Sequence, residues 1–160
     1  TAPSAARHQV DTVYFGGGTP SVVDSKYIYA AMRQIKKCFA LAPHPEITIE
    51  MNPGTVSEQK IALYKRAGIN RFSVGLQSAI DAQRADLGRV HTVRDYLYCT
   101  SLLKGENFSA DVMIGIKGQT REDLQKTIEV AAGSGALRRT LAMAARPKIM
   151  AFSVPTALSL

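Results

Sequence analysis

The sequence predicts an α/β fold in which helices cover a parallel β-sheet. Segments typical of a strand, a turn and a helix follow one another four times along the 160 residues, and this alternation is the pattern of a parallel sheet with helices outside. A run of three glycines, from Gly16 to Gly18, separates the first strand from the first helix. Polar residues gather at the carboxyl ends of the predicted strands, where α/β proteins bind their ligands.

The composition is that of a globular protein in one domain. The hydrophobic share of 46% and the charged share of 21% are ordinary, and a chain of this length buries roughly 70% of its unfolded surface. No apolar run approaches the ~20 residues of a membrane span, and the first residues lack the apolar core of a signal peptide. We therefore expect no membrane span and a cytoplasmic location.

The net charge of +7 is scattered along the chain. Its densest groups are the pairs Lys36-Lys37 and Arg138-Arg139, and no aromatic residues are interleaved with them as a stacking platform for bases requires. We expect no nucleic-acid partner. A positive field of this kind favours an anionic small molecule instead.

The sequence has no pattern of a metal site or a disulfide framework. Cys38 and Cys99 lie far apart and neither belongs to a C-x-x-C pair, so both are expected to be free thiols in a reducing compartment. The histidines, His8, His44 and His91, are equally isolated. We therefore predict no metal-ligating residue in this chain.

Three segments are expected along the chain. Residues 1–10 have no clear period and are interpreted as the end of a preceding segment, and residues 11–133 carry the strand and helix patterns. Residues 134–160 form a loosely patterned tail, in which residues 148–154 could be a last strand. The first residue is not Met, which suggests a start inside a longer protein.

The first strand, about residues 11–15, leads into a turn suited to a ligand. Val13, Tyr14 and Phe15 favour a strand, and the glycines that follow permit positive φ and a close approach of bare backbone groups to a ligand. The turn lacks the Gly-Lys-Ser/Thr of a phosphate loop and the spacing of a dinucleotide site. A tight connection without a ligand and a ligand held by backbone groups both remain open.

The second strand carries an acidic residue, Glu50, near its carboxyl end. A helix is predicted over residues 24–41 and is expected to end at Pro43 and Pro45, before this strand begins at residue 46. Strict alternation over residues 46–51 places Glu50 inside the fold, where a carboxylate needs a cationic or hydrogen-bonding partner. The alternative is an edge strand with Glu50 in solvent.

Two later strands carry polar residues of the same kind. Gln77 ends the strand of residues 70–78, where an ordinary loop amide is the alternative to a ligand contact. Asp111 lies in the apolar strand of residues 108–115, and because isolated charge in a core costs several kcal/mol, a salt bridge and a ligand contact are both open. The remaining predicted helices cover residues 55–67, 78–87, 92–103 and 120–132.

Five motifs at these strand ends belong together: YFGGGTPS at 14–21, IEMNPG at 49–54, NRFSVGLQS at 70–78, LGRVHT at 87–92 and DVMIGIKGQT at 111–120. In order and spacing they resemble the radical S-adenosylmethionine enzymes of the oxygen-independent coproporphyrinogen III oxidase group. The forms Met-Asn-Pro, Leu-Gln-Ser and Gly-Arg-x-His-Thr resemble its HemW-like branch of haem chaperones. The match covers residues 11 to about 130.

The resemblance implies a fold and a cofactor. The fold is a partial (β/α)6 barrel, of which this chain would carry roughly strands 2 to 5 or 6 with their helices, and the cofactor is S-adenosylmethionine. Carried over position by position, Gly17, Gly18 and Thr19 would line the methionine end of S-adenosylmethionine, with Glu50 as a polar contact.

Three further residues match family positions that contact S-adenosylmethionine, in the oxidase branch a second such molecule. They are Gln77, Arg89 and Asp111. A carboxylate can hold an ammonium group and a guanidinium can face a carboxylate, so the implied contacts agree with the chemistry of the residue types.

The chain departs from the family pattern at the iron–sulfur site. The family holds a [4Fe–4S] cluster with a C-x-x-x-C-x-x-C loop ahead of the glycine motif, and without three thiolates there is no cluster and no reductive cleavage. That loop is not in this sequence, and Cys38 and Cys99 cannot replace it. Lys117 also stands where the family usually has Pro. We interpret the chain as a fragment of a longer protein and expect it to be inactive by itself.

The resemblance implies three candidate functions. The leading hypothesis is a haem chaperone whose full-length form binds S-adenosylmethionine, a [4Fe–4S] cluster and, as a further candidate cofactor, haem. The second hypothesis is an oxygen-independent coproporphyrinogen III oxidase, and the third is a truncated (β/α) fragment without a present function. Haem or porphyrin as a partner rests on the resemblance alone, because no residue identifies itself as an axial ligand.

Overall fold

The computed structural model describes residues 9–143 and 150–155. Strands and helices alternate through most of this part of the chain, as the sequence predicts. The strands are β1 (Val10–Phe15), β2 (Leu41–Met51), β3 (Arg71–Gln77), β4 (Phe108–Ile114), β5 (Arg138–Met143) and β6 (Met150–Pro155). The α-helices are α1 (Ser25–Cys38), α2 (Glu58–Ala67), α3 (Asp81–Asp86), α4 (Val93–Leu102) and α5 (Arg121–Gly133).

The strands form one sheet in chain order, from β1 to β6. The first five strands pair in parallel, which confirms the predicted fold class. β6 runs antiparallel to β5, so the expectation of a parallel sheet is wrong for the last strand. Only residues 144–149 separate the paired residues Met143 and Met150, and a parallel crossover needs a dozen or more residues.

β2 differs from its predicted bounds, and β5 was not predicted. β2 begins at Leu41, so Pro43 and Pro45 lie in its irregular first part and do not end α1. α1 ends at Cys38, where the Phe39 N–H still bonds to the carbonyl of a residue in the last turn. β5 falls where the sequence pattern is weak, and it forms because β4 offers a neighbouring strand to pair with.

The two faces of the sheet differ in chemistry, because side chains alternate along each strand. The outer face is apolar and packs against the helices, with Ile49 and Phe72 paired in register and fully buried. The inner face carries polar side chains, among them Thr48, Ser73 and Ser109, which are also buried. The hydrophobic core therefore lies on one side of the sheet, and a polar interior lies on the other.

Side-chain caps set the helix starts. The side chains of the residues before α1, α2, α4 and α5 each accept a hydrogen bond from a backbone N–H of the first turn, and the last two make full capping boxes: Asp24, Ser57, Thr92 and Thr120. Gly68 ends α2 with a φ of 101°, as the sequence predicts for a C-terminal glycine. No helix in the described part of the chain is long and apolar enough to cross a membrane.

Candidate functional site

A cavity of about 480 Å³ opens on the inner face of the sheet, toward the carboxyl ends of the strands. Of the seven residues that the sequence analysis singled out, six line this cavity: Gly18, Thr19, Glu50, Gln77, Arg89 and Asp111. Gly17 precedes Gly18 in the same turn but does not line the cavity. The structure thus brings residues from five separate segments of the chain to one place.

The glycine turn after β1 bends sharply beside the cavity. Gly17 and Gly18 have φ angles of 81° and 108°, a region that other L-residues rarely adopt. At Gly16 a β-carbon would lie 2.3 Å from the Tyr14 ring, so no larger residue fits unless that ring moves. Backbone conformation therefore favours glycine at positions 17 and 18, and space favours it at position 16.

Ser21 holds the far end of this turn against the end of β2. Its hydroxyl accepts hydrogen bonds from the Asn52 backbone N–H at 2.9 Å and from the Thr55 hydroxyl at 2.7 Å. The Lys60 ammonium donates to the Ser21 carbonyl at 2.5 Å, and Ser21 is fully buried. Ser21 therefore joins the glycine turn to the turn that follows β2.

Glu50 lies on an interior strand and accepts a hydrogen bond from Tyr14. The Tyr14 hydroxyl donates to Glu50 Oε1 at 2.6 Å. Burial, with the hydrogen bond and negative charge of Glu50, raises the pKa of Tyr14 above its usual range, so the phenol keeps its proton. β2 pairs with β1 on one side and β3 on the other, so the alternative of an edge strand with Glu50 in solvent is wrong.

Asp111 presents a buried oxygen without a hydrogen-bond partner. Its Oδ2 accepts from the Ser73 hydroxyl at 2.6 Å, whereas Oδ1 is buried and has no partner among the described residues. Burial raises the pKa of Asp111 to about 6, although Ser73 and the Thr140 hydroxyl lower it. Thr140 makes no hydrogen bond of normal geometry with Oδ1. In the described part of the chain no salt bridge to Asp111 is found, and the ligand contact stays a prediction.

Arg71 also lines the cavity, and the sequence analysis did not select it. Its Nη1 lies 3.4 Å from the Thr48 hydroxyl and 3.6 Å from Glu46 Oε1, and its Nε is buried without a partner in the part of the chain described. The sequence could have indicated Arg71, because every second residue of β3 shares its inner face. These residues are Arg71, Ser73, Gly75 and Gln77.

The loop between α3 and α4 brings Arg89 and His91 to the rim. Arg89 is half-buried, and His91 is 4% exposed with neither ring nitrogen hydrogen-bonded among the described residues. Burial and the nearby Arg84 guanidinium lower the pKa of His91, so its imidazole is neutral at pH 7. The rim therefore adds a guanidinium and a neutral imidazole to the cavity.

The described cavity residues carry both signs of charge: the carboxyl groups of Glu50 and Asp111 and the guanidinium groups of Arg71 and Arg89. An ammonium or sulfonium suits the first pair and a carboxylate suits the second. The cavity is thus built for a polar ligand that carries both signs of charge.

The fold and this site define a class of protein. The family model described as Radical SAM superfamily matches residues 2–131, and the chain belongs to that family. Among its curated relatives, the heme chaperone HemW of Escherichia coli strain K12 is 35% identical over 133 residues, and that of Synechocystis sp. is 37% identical over 129 residues. Each match covers 79% of this chain but only 35% and 31% of the relative.

A solved structure shows the same fold. It is described as "Coproporphyrinogen III oxidase (HemN) from Escherichia coli is a Radical SAM enzyme" and has a TM-score of 0.80 at 22% identity. The match covers 88% of this chain and 33% of that chain. The predicted partial barrel is confirmed, and the chain spans about a third of the length of its relatives.

The described residues do not fit a [4Fe–4S] cluster, which this family implies. Cys38 is exposed and Cys99 is buried, and no group of three His, Cys, Asp or Glu side chains in the described residues could hold a metal ion. The sequence has only these two cysteines, whereas the cluster requires three thiolates. Its ligands would therefore have to come from outside these 160 residues.

Proposed function

We propose that this chain forms the S-adenosylmethionine-binding part of a radical S-adenosylmethionine protein that serves as a haem chaperone. The observation that carries the cofactor part is the unpartnered, buried Oδ1 of Asp111 in a cavity that Glu50 also lines. Two carboxylates in a partly dry cavity stabilise a positive group, and the sulfonium and ammonium of S-adenosylmethionine are both positive.

The family assignment supports a role for each residue toward this cofactor. Gly18 and Thr19 would line its methionine end together with Gly17, which shapes the same turn. Glu50, oriented by Tyr14, would accept from the ammonium group. When bound at a cluster, S-adenosylmethionine supplies radical chemistry; the residues of this chain bind and orient it.

The remaining proposed contacts come from other residues that line the cavity. Arg89 would face the ligand carboxylate and Asp111 the positive charge, and Gln77 adds an amide that can both donate and accept. Arg71 supplies a second guanidinium on the inner face.

Equilibrium dialysis tests the cofactor proposal. We expect the chain to bind S-adenosylmethionine more tightly than S-adenosylhomocysteine, which lacks the sulfonium charge. Asp111→Asn should reduce this preference about tenfold, since a hydrogen bond or ion contact to a charged group contributes about 1.5–3 kcal/mol. Asp86→Asn, at an exposed carboxylate, is the matched control and should bind as wild type. Absence of saturable binding, or an unchanged preference in Asp111→Asn, would contradict the proposal.

Haem as the cargo, and a cytoplasmic location, are the finer parts of the proposal. The support for haem is that both curated relatives reported above carry the name heme chaperone HemW. The test uses the full-length protein, reconstituted with iron and sulfide. We expect a saturable shift of the haem absorption band on titration with haemin and no conversion of coproporphyrinogen III under reducing conditions. Formation of a vinyl product would instead identify an oxidase.

The fragment interpretation has a separate test. We expect the gene to encode a C-x-x-x-C-x-x-C motif within about 60 codons upstream of Thr1, because a cluster of this kind is held by thiolates. An upstream reading frame without cysteines would contradict the proposed class of chemistry.

A further inference from the structure

Gln77 lies in a strained turn at the end of β3. Its φ is 66°, and it is the non-glycine residue with a positive φ in the described part of the chain. The Ser78 N–H donates to the Leu76 carbonyl at 2.9 Å, which closes a three-residue turn around Gln77; turns of this kind with positive φ are rare and strained. The pairing of β3 with β4 also shifts between Gly75 and Gln77, and such bulges re-aim side chains.

The strained turn places the Gln77 amide directly over Gly75. A β-carbon at Gly75 would lie 2.7 Å from Gln77 Nε2, closer than real β-carbons approach another atom. The backbone of Gly75 does not have a positive φ, so a larger residue here meets no conformational strain, but its β-carbon would displace the Gln77 amide. Gly75 pairs with Asp111 in the sheet, and both Gly75 and Gln77 line the cavity. The amide is therefore held beside the buried carboxylate.

A buried network on the far side of the turn keeps it in place. The Ser78 hydroxyl donates to Gln83 Oε1 at 2.7 Å and accepts from the Ile80 N–H at 3.0 Å. The Ser78 carbonyl accepts from Arg84 Nη1 at 2.6 Å, and Arg84 is 1% exposed. Strained residues persist only where the surrounding structure over-determines them, and they cluster at ligand-binding sites.

We propose that Gly75 and Ser78 are positioning residues, which hold the Gln77 amide in a strained turn so that it meets the ligand beside Asp111. The ligand is the S-adenosylmethionine of the proposed function, on which this inference rests. The amide can donate to the ligand and accept from it, so it suits a zwitterionic group better than a purely cationic one. The strain in the turn lowers the stability of the fold and in return fixes the direction of the amide for binding.

The experiment combines melting temperature with binding of S-adenosylmethionine by equilibrium dialysis. Gln77→Gly relieves the positive φ, and we expect its melting temperature to rise by a few degrees while affinity falls about tenfold. Gln77→Ala should lose the same affinity without the rise. Gly75→Ala should also lose affinity, because its methyl group displaces the amide. Gly133→Ala in α5, where a β-carbon meets nothing within 4 Å, is the matched control with wild-type affinity.

The double variant Gly75→Ala/Gln77→Ala decides whether Gly75 acts through Gln77. We expect it to bind no more weakly than Gln77→Ala alone, since there is no amide left to displace. Additive losses, wild-type affinity of Gly75→Ala, or a lower melting temperature of Gln77→Gly would each overturn the positioning role. A wild-type chain without saturable binding would overturn the proposed function as well, whereas failure of the variants alone would overturn only this inference.

Discussion

The outer and inner faces of the same sheet are both buried, yet they are organised in opposite ways. On the outer face, Phe72 and Val74 of β3 pack with helix residues in a largely apolar core, where the Tyr64 hydroxyl is buried without a hydrogen-bond partner among the described residues. Ser73 lies between these two residues in sequence, but its side chain is on the inner face, where its hydroxyl donates a hydrogen bond to Asp111 Oδ2. Close packing stabilises the outer face, whereas the inner face keeps a cavity lined by charged side chains. We infer that the outer face maintains the fold and that the inner face carries the proposed ligand site.

The largest effect is expected on the outer face. Phe72→Ala removes a fully buried ring from the core, and such changes cost about 3–5 kcal/mol of the free energy of unfolding. Urea denaturation measures this loss. Phe39→Ala is the matched control, because Phe39 is 43% exposed and should lose much less. Equal losses at the two positions would remove the distinction between core and surface.

On the inner face, Asp111→Asn should stabilise the protein at neutral pH. The folded-state pKa of Asp111 is about 6, above its ordinary value of 3.8. The folded state therefore disfavours the charged form, and wild type loses stability as the pH rises from about 4 to about 6. A pKa shift of about two units corresponds to roughly 2–3 kcal/mol of the free energy of unfolding, and Asp111→Asn should recover this stability above pH 6.

Urea denaturation from pH 3.5 to pH 7.5 tests this pH dependence. The two proteins should be equally stable below pH 4, where the carboxyl group is protonated in both the folded and the unfolded state. A difference that stays constant over this range would show that burial of the charge is not its cause.

Ser73→Ala should raise the pKa of Asp111 and have only a small effect on the free energy of unfolding. It removes the donor 2.6 Å from Oδ2, so the charged form loses support and the pKa of Asp111 rises above 6. The effect on the free energy of unfolding should be about 1 kcal/mol. NMR titration of the carboxyl carbon measures the pKa, and Ser101→Ala, on an exposed helix position, serves as control. A lower pKa would contradict the assigned hydrogen bond.

The smallest effect is expected from Tyr14→Phe. Tyr14 is 58% exposed, so losing its hydrogen bond to Glu50 should cost less than 1 kcal/mol of stability. Affinity for S-adenosylmethionine should fall nonetheless, since Glu50 is no longer oriented. Tyr98→Phe, similarly exposed on α4, should change neither quantity. If stability fell as much as in Phe72→Ala, Tyr14 would belong to the core rather than to the site.

Much of the fold and part of the site could be predicted from the sequence, because both depend on local patterns. Alternation along β2 placed Glu50 inside the fold, and the structure has it lining the inner cavity. For Asp111 the sequence indicated only a carboxylate within an apolar strand. β5 was missed because its residues have little intrinsic strand pattern and depend on pairing with β4. Arg71 was missed because an arginine at the start of a strand is usually a solvated residue.

The sequence by itself determined which residues alternate, where glycines free the backbone and which family the motifs resemble. These properties are local, so they can be read along the chain. Only the tertiary structure decided that Tyr14 meets Glu50, that Ser73 meets Asp111 and that the Gln77 amide lies over Gly75. Those contacts, and the burial that raises the pKa of Asp111, arise when parallel strands distant in sequence come together and exclude water from between them.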